Sequence, residues 1–277
     1  MPHDTHLTEL LRDSDRDRYL STLYAPADRR QGLTALYAFN AEVAAVRDRI
    51  REPMAGEVRL QWWRDAINAG APTGHPVADP LIETIGRFGL PHAAFDRLLE
   101  ARIFDLYDDA MPDRGTLEGY CGETAATVIQ LAALILDPKA APDWSDAAGY
   151  AGCAQAFTGL LRLLPIHLAR GQCYMPADIL AAAGTSSSAF VAGGNDAARA
   201  RAVAAMAALA NEHWHAFRNR AGALPQPLVA AFLPLAPVPA YLHRISAHPG
   251  KALRQPIGIS SVHAQLLFLY RAGRGWR

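Results

Sequence analysis

A chain of 277 residues has material for one large domain or two small ones. At this length a single core buries about 75% of the extended surface without help from disulfides or metal. Apolar residues make up 51% and charged ones 19%, which excludes a disordered chain, and 27 basic side chains cancel 27 acidic ones. That balance excludes a dedicated nucleic-acid partner, which demands a basic surplus to neutralise phosphates.

Cys121, Cys153 and Cys173 are odd in number and contain no CxxC, so neither a disulfide framework nor a zinc knuckle is readable. A reducing, intracellular setting is the expectation. The first twenty residues, MPHDTHLTELLRDSDRDRYL, are too charged for a signal peptide. Helical spacing starts at Asp15–Tyr24 and stops at Pro26, and a second helix is expected over Ala27–Arg49. Glu57–Ala69 follows, with Val58, Trp62 and Ala66 on one face and Trp63 and Ile67 beside them. Further helices are expected at 76–88, 91–109, 116–136, 144–170, 176–183, 188–191, 196–221, 226–246 and 261–270. Five prolines between Ala223 and Leu242 break what would otherwise read as a membrane span, so a bent loop and a buried helix are expected there. No alternating run long enough for a sheet occurs. The reading is all-α, one domain over 1–277.

Chemistry-bearing motifs are sparse. Asp105, Asp108 and Asp109 have the spacing of a magnesium site, but Pro112 and Gly115 follow at once, so they read as a solvated helix end. His213 and His215 face different sides of a helix and are no zinc pair. Ser186–Ser188 read as a helix cap, and Trp62–Trp63 as core aromatics. Two helices carry small residues in register. Ala41, Ala44, Ala45 and Asp48 share one face; Gly152, Ala156, Gly159, Leu163 and His167 share another, ending at Arg170–Gly171. Such stripes make either a close helix contact or a cavity, with Arg47, Asp48, Arg162, His167 and Arg170 around it.

These segments resemble the squalene/phytoene synthase family over nearly the whole chain. YAFNAEVAAVRD (37–48) is similar to the family's first aspartate-rich helix, residues 75–106 to its middle segment, and AGCAQAFTGLLRLLPIHLARGQCYMPADIL (151–180) to its second aspartate-rich helix. The resemblance implies a helical bundle of the isoprenoid-synthase type that joins prenyl diphosphates head to head, with aspartates holding Mg²⁺ against the departing diphosphate. Here the paired acids of the first motif fall on Ala44 and Ala45, leaving Asp48. In the second motif the asparagine falls on Gly159 and the aspartates on Leu163 and His167, with Pro165 interrupting the helix. The resemblance therefore implies a cavity lined by Tyr37, Ala44, Ala45, Asp48, Gly159, Arg162, Leu163, His167, Arg170 and Tyr174, with no intact catalytic set and no metal or other cofactor.

AFNAEVAAVRD, GEVRLQWWRDAI, HPVA and the LR-x-x-P-x-H run further resemble the branch of complex I assembly factor 6, which likewise lacks the aspartates. That resemblance implies a non-catalytic protein whose partner is a subunit or assembly intermediate of respiratory complex I, in the cytoplasm or peripheral on the inner membrane. A prenyltransferase using Mg²⁺ with Asp48, Glu42 and Asp105 or Asp108, and a binding protein for an isoprenoid or lipid, stay open beside it. The charge pattern predicts a neutral to basic cavity mouth in which Asp48 is paired with an arginine, Arg162 foremost.

Overall fold

The computed structural model describes residues 2–276, with side chains from Thr5 onward. Among these residues every regular element is helical. The helices are α1 (Pro2–Ser14), α2 (Arg16–Leu23), α3 (Ala27–Ala44), α4 (Val46–Arg49), α5 (Pro53–Ala69), α6 (Ala78–Phe88), α7 (His92–Ile103), α8 (Arg114–Cys121), α9 (Thr127–Leu136), α10 (Ser145–Arg162), α11 (Leu164–Ala169), α12 (Ala177–Ala182), α13 (Ser187–Ala192), α14 (Asp196–Ala221), α15 (Val229–Phe232), α16 (Val238–Ala247), α17 (Pro249–Ala252) and α18 (Ser261–Arg274).

Caps explain most of the punctuation. Asp15, Asp113, Ser186, Asn195 and Ser260 each accept a backbone N–H at the start of a helix, while Gly70, Gly89 and Gly193 end helices in the left-handed conformation. Ser186 is thus the cap that its polar run suggested. The predicted helix over 196–221 coincides with α14.

Several expected helices are shorter pieces. The chain before Asp15 is α1, whose Leu7 and Leu11 are buried against α3; the density of charge around them hid this two-residue apolar signal. The helix expected over 27–49 breaks at Ala45, and that over 91–109 ends at Ile103 in a 3₁₀ turn, Phe104–Leu106. Pro165 divides 144–170 into α10 and α11, because its ring removes a backbone donor and clashes with the preceding turn. A π-helical turn, Gly122–Ala126, joins α8 to α9, and the prolines of 226–246 leave 3₁₀ turns around α15 before α16. Two stretches, Arg114–Leu136 and Gln226–Ala247, are long and apolar enough to cross a membrane by composition, but both are mostly buried inside the bundle.

α3 runs through the centre, buried almost continuously from Gly32 to Val43 and packed on α1, α6 and α9. On α5 the buried face is Gly56, Leu60, Trp63, Ala66 and Ile67; of the expected Val58–Trp62–Ala66 line only Ala66 is buried, and Val58 and Trp62 reach solvent. Trp63 packs edge-on against Phe39 with centroids 5.1 Å apart, and Phe39 against Phe95 at 5.6 Å. α10 lies along α14, and its Gly152 sits against the π turn, where a Cβ would stand 2.4 Å from the Ala126 nitrogen. Gly159, two turns on, has open space at the same position. The small-residue stripe of α10 therefore serves both purposes, a close helix contact at one end and a cavity at the other.

Candidate functional site

That open space is a cleft of about 840 Å³ between α2, α3, α10, α11, α16 and the start of α18. Ala44 and Ala45 form one wall at the break between α3 and α4, and Asp48 stands one turn beyond on α4. Gly159, Arg162 and Leu163 form the opposite wall at the end of α10, with His167 and Arg170 on α11 and Tyr174 in the loop after it. Gly171, at φ +77°, reverses the chain between Arg170 and Tyr174, a conformation that glycine adopts without a steric penalty. Nine of the ten residues proposed from the sequence thus meet at one cleft. Tyr37 does not. It is buried beneath the cleft wall, with the Arg18 guanidinium 5.7 Å from its ring centroid, and burial pushes its hydroxyl up to about 12.

Asp48 is ion-paired, but with Arg170 rather than Arg162. Arg162 is committed elsewhere. Its Nε donates to the carbonyl of Ile257 at 3.1 Å, the Ile257 N–H returns a bond to its own carbonyl, and its guanidinium lies 3.6 Å from the ring centroid of Tyr241. It staples the segment before α18 onto α10.

Asp105 overturns the expectation of a solvated helix end. The 3₁₀ turn after α7 carries it inward, where it is buried on the cleft floor. Tyr120 donates to its Oδ1 at 2.8 Å, Tyr174 donates to the same oxygen at 2.9 Å, and Arg102 Nη1 donates to Oδ2 at 3.0 Å. Burial and the adjacent carboxylate push both tyrosine hydroxyls far above their ordinary range. Burial opposes the Arg102 charge, but Tyr120 and Asp105 outweigh it and hold the guanidinium protonated. Asp108 is exposed and bound by Arg47 at 3.2 Å.

His167, which the family resemblance sets in the place of an aspartate, is neutral. Burial first, then the charge of Arg170, lowers it to about 4. On the other rim Asp17 is raised to about 6, chiefly by burial and next by Asp15. Six arginines (16, 18, 47, 102, 162, 170) against four aspartates (15, 17, 48, 105) make the lining basic. The contributors from α2 belong to the charged run DSDRDR, at the start of the helix that the spacing over Asp15–Tyr24 predicts, but nothing in the run marks its charges as lining a cleft. Tyr241 was hidden in the proline-rich stretch.

Mg²⁺ requires several free carboxylate oxygens turned to one point. Asp48 is bound by Arg170, Asp105 by three donors, Glu42 by Arg49 at 2.8 Å and Arg59 at 3.6 Å, and Leu163 offers hydrocarbon. Among the described residues no three His, Cys, Asp or Glu side chains gather as a metal site. The residues present do not fit the ion. His213 pairs with Glu118 at 2.9 Å instead of with His215, and the three cysteines are buried free thiols.

The sequence profile of squalene/phytoene synthases matches residues 11–263. The chain belongs to the squalene/phytoene synthase family. Among curated family relatives, complex I assembly factor 6 of Rattus norvegicus is 31% identical over 247 residues, covering 87% of this chain and 74% of its own. The Homo sapiens protein is 29% identical over 245 residues, covering 87% and 73%. Presqualene diphosphate synthase of Zymomonas mobilis is 29% identical over 173 residues, covering 60% and 58%. Among solved structures, the squalene synthase HpnC of Alicyclobacillus acidocaldarius superposes with a TM-score of 0.75 at 22% identity over 92% of this chain and 96% of its own. A dehydrosqualene synthase gives 0.81 at 18% identity over 97% and 95%. At such identities these two neighbours establish the all-α synthase fold.

Proposed function

We propose that this protein is a non-catalytic member of the synthase family that assists assembly of respiratory complex I. The observation that carries the reading is the Asp48–Arg170 pair: the one acid left of the first aspartate motif is satisfied by an arginine from the second. The likeness to complex I assembly factor 6 of rat and human supplies the role. The partner on this reading is a complex I subunit or assembly intermediate, met from the cytoplasmic side. Deletion of the gene in its host tests it. The expected result is a lowered amount of assembled complex I and of NADH–quinone reductase activity, both restored by the wild-type gene; an unchanged level overturns the role. Purified protein given prenyl diphosphates and Mg²⁺ is expected to form no condensed product, and formation of one would restore the prenyltransferase reading.

The open cleft favours a second reading beside the first. Core side chains do not fill it, and Leu20, Leu160, Val238 and Ile259 give it apolar walls beside the arginines. An isoprenoid or lipid with an anionic head matches that lining.

A further inference from the structure

α18 has two apolar faces. Ala264, Leu267, Phe268 and Ala272 turn inward, where Phe268 joins Val229, Leu233 and Ala236 in a small core of their own. Ser261 and Ala264 also line the cleft. On the opposite side Val262, Leu266, Leu269 and Tyr270 are 66%, 58%, 61% and 48% exposed, and their i, i+4, i+7, i+8 spacing makes one continuous stripe. Four adjacent large apolar side chains left in water mark a surface that something covers.

Charge says what covers it. The helix, SVHAQLLFLYRAGR, contains no acid. Arg271 lies 5.4 Å from the Tyr270 ring centroid and 5.0 Å from that of Trp276; Arg274 lies 5.8 Å from that of Tyr270. Trp276 in turn packs on Trp214, over which Arg218 sits at 5.9 Å. Three guanidinium groups thus gather at one end of the stripe. Among the described residues none of them makes a salt bridge. α5 carries a comparable exposed line, Met54, Val58 and Trp62, but Glu57 and Asp65 are interleaved with it, and its two arginines, Arg59 and Arg64, are paired with Glu42 and with Asp96 and Glu100.

We propose that the outer face of α18 docks on a bilayer containing anionic phospholipid, its apolar stripe in the acyl boundary and its arginines at the headgroups. The proposal is independent of the complex I reading. Arg162, bonded to Ile257, and Arg16, donating to Ser261 at 3.0 Å, fix the helix beside the cleft, so docking sets the cleft mouth next to the bilayer.

The test is co-sedimentation of the full chain with vesicles of phosphatidylcholine alone and of equal parts phosphatidylcholine and phosphatidylglycerol. Binding is expected only to the anionic vesicles, weakening as salt is raised. Replacing both leucines, Leu266→Ser with Leu269→Ser, is expected to lower the partition coefficient about tenfold or more, and Arg274→Gln about threefold. Val58→Ser on α5 is expected to leave it unchanged. Circular dichroism melts verify folding, and Val262→Ser, alone at the start of the helix, provides a second variant expected to lower binding several-fold. Equal binding by wild type and the leucine variants overturns the proposal. So does a loss confined to Val58→Ser, or a vesicle-free dimer in light scattering that the leucine substitutions dissolve.

Discussion

Arg170, at the end of α11, donates to Asp48 on α4 and ties together the two segments that resemble the family's aspartate-rich helices. Both side chains are nearly half exposed, so solvent screens the pair and its net worth is about 1 kcal/mol or less. A double-mutant cycle of Asp48→Ala and Arg170→Met, followed by urea denaturation, is expected to give a coupling energy of about 0.5 kcal/mol. A coupling above about 2 kcal/mol would mean that the bridge is shielded from water.

The Asp105 cluster is of another kind. Asp105→Ala removes the acceptor of three donors and leaves the Arg102 charge without its carboxylate, at an expected cost of about 3–5 kcal/mol. Tyr174→Phe removes one bond from the cleft side, and the expected cost is about 1 kcal/mol. Urea denaturation of the two variants ranks them; equal effects would contradict the shared role of the carboxylate.

Gly152 and Gly159 are expected to respond oppositely to alanine. At Gly152 a methyl group meets the Ala126 backbone, and displacing that turn is expected to cost about 1–3 kcal/mol. At Gly159 the added methyl enters open space, and the helix gains about 0.5–1 kcal/mol from lost backbone freedom in the unfolded chain. Thermal melts of the two variants should move in opposite directions.

Two groups on the cleft rims give pH dependences of opposite sign. His167 titrates near 4 when folded and near 6.5 unfolded, so the unfolded chain takes the proton first and stability falls as pH drops from about 6.5 to 4. Asp17 titrates near 6 when folded and near 3.8 unfolded, so its penalty grows as pH rises through that interval and is complete above about 6. The two slopes oppose each other between about 4 and 6. Asp17→Asn is expected to add about 1–3 kcal/mol at pH 7 and to leave a steeper loss on acidification, owed to His167. Denaturation curves across that range decide; a variant less stable than wild type at pH 7 would contradict the burial of the Asp17 charge.

The fold was legible because periodicity, prolines and glycines act locally: Pro26, Gly70, Gly89 and Pro165 stand at ends or breaks of helices. The cleft was legible only in part. Ala44, Ala45, Gly159 and Leu163 announced themselves by being small or apolar where the family carries polar groups. Partnerships were not legible, because they depend on which long side chain is already engaged. Arg162 and Arg170 are equally available to Asp48 in sequence, and only the Ile257 carbonyl and the Tyr241 ring, about eighty or more positions away, remove the first. Asp105 misled for the same reason. Its neighbours Asp108 and Asp109 are exposed, and its own burial rests on Tyr120 and Tyr174, both remote in the chain.

Pro165 gives the cleft a hinged lip. α10 is locked to the π turn at Gly152, whereas the six residues of α11 lie between the helix break at Leu163 and the glycine turn at Gly171, anchored in the core by the buried Leu164 and by Leu168 beside it. Leu163 and Ile166 reach solvent on that lip, and the Asp48–Arg170 bridge is its latch. A guest of larger girth that displaced the lip would break a latch worth about 1 kcal/mol or less and also draw Leu164 and Leu168 from the core, so the apolar anchor, more than the bridge, holds the lip in place.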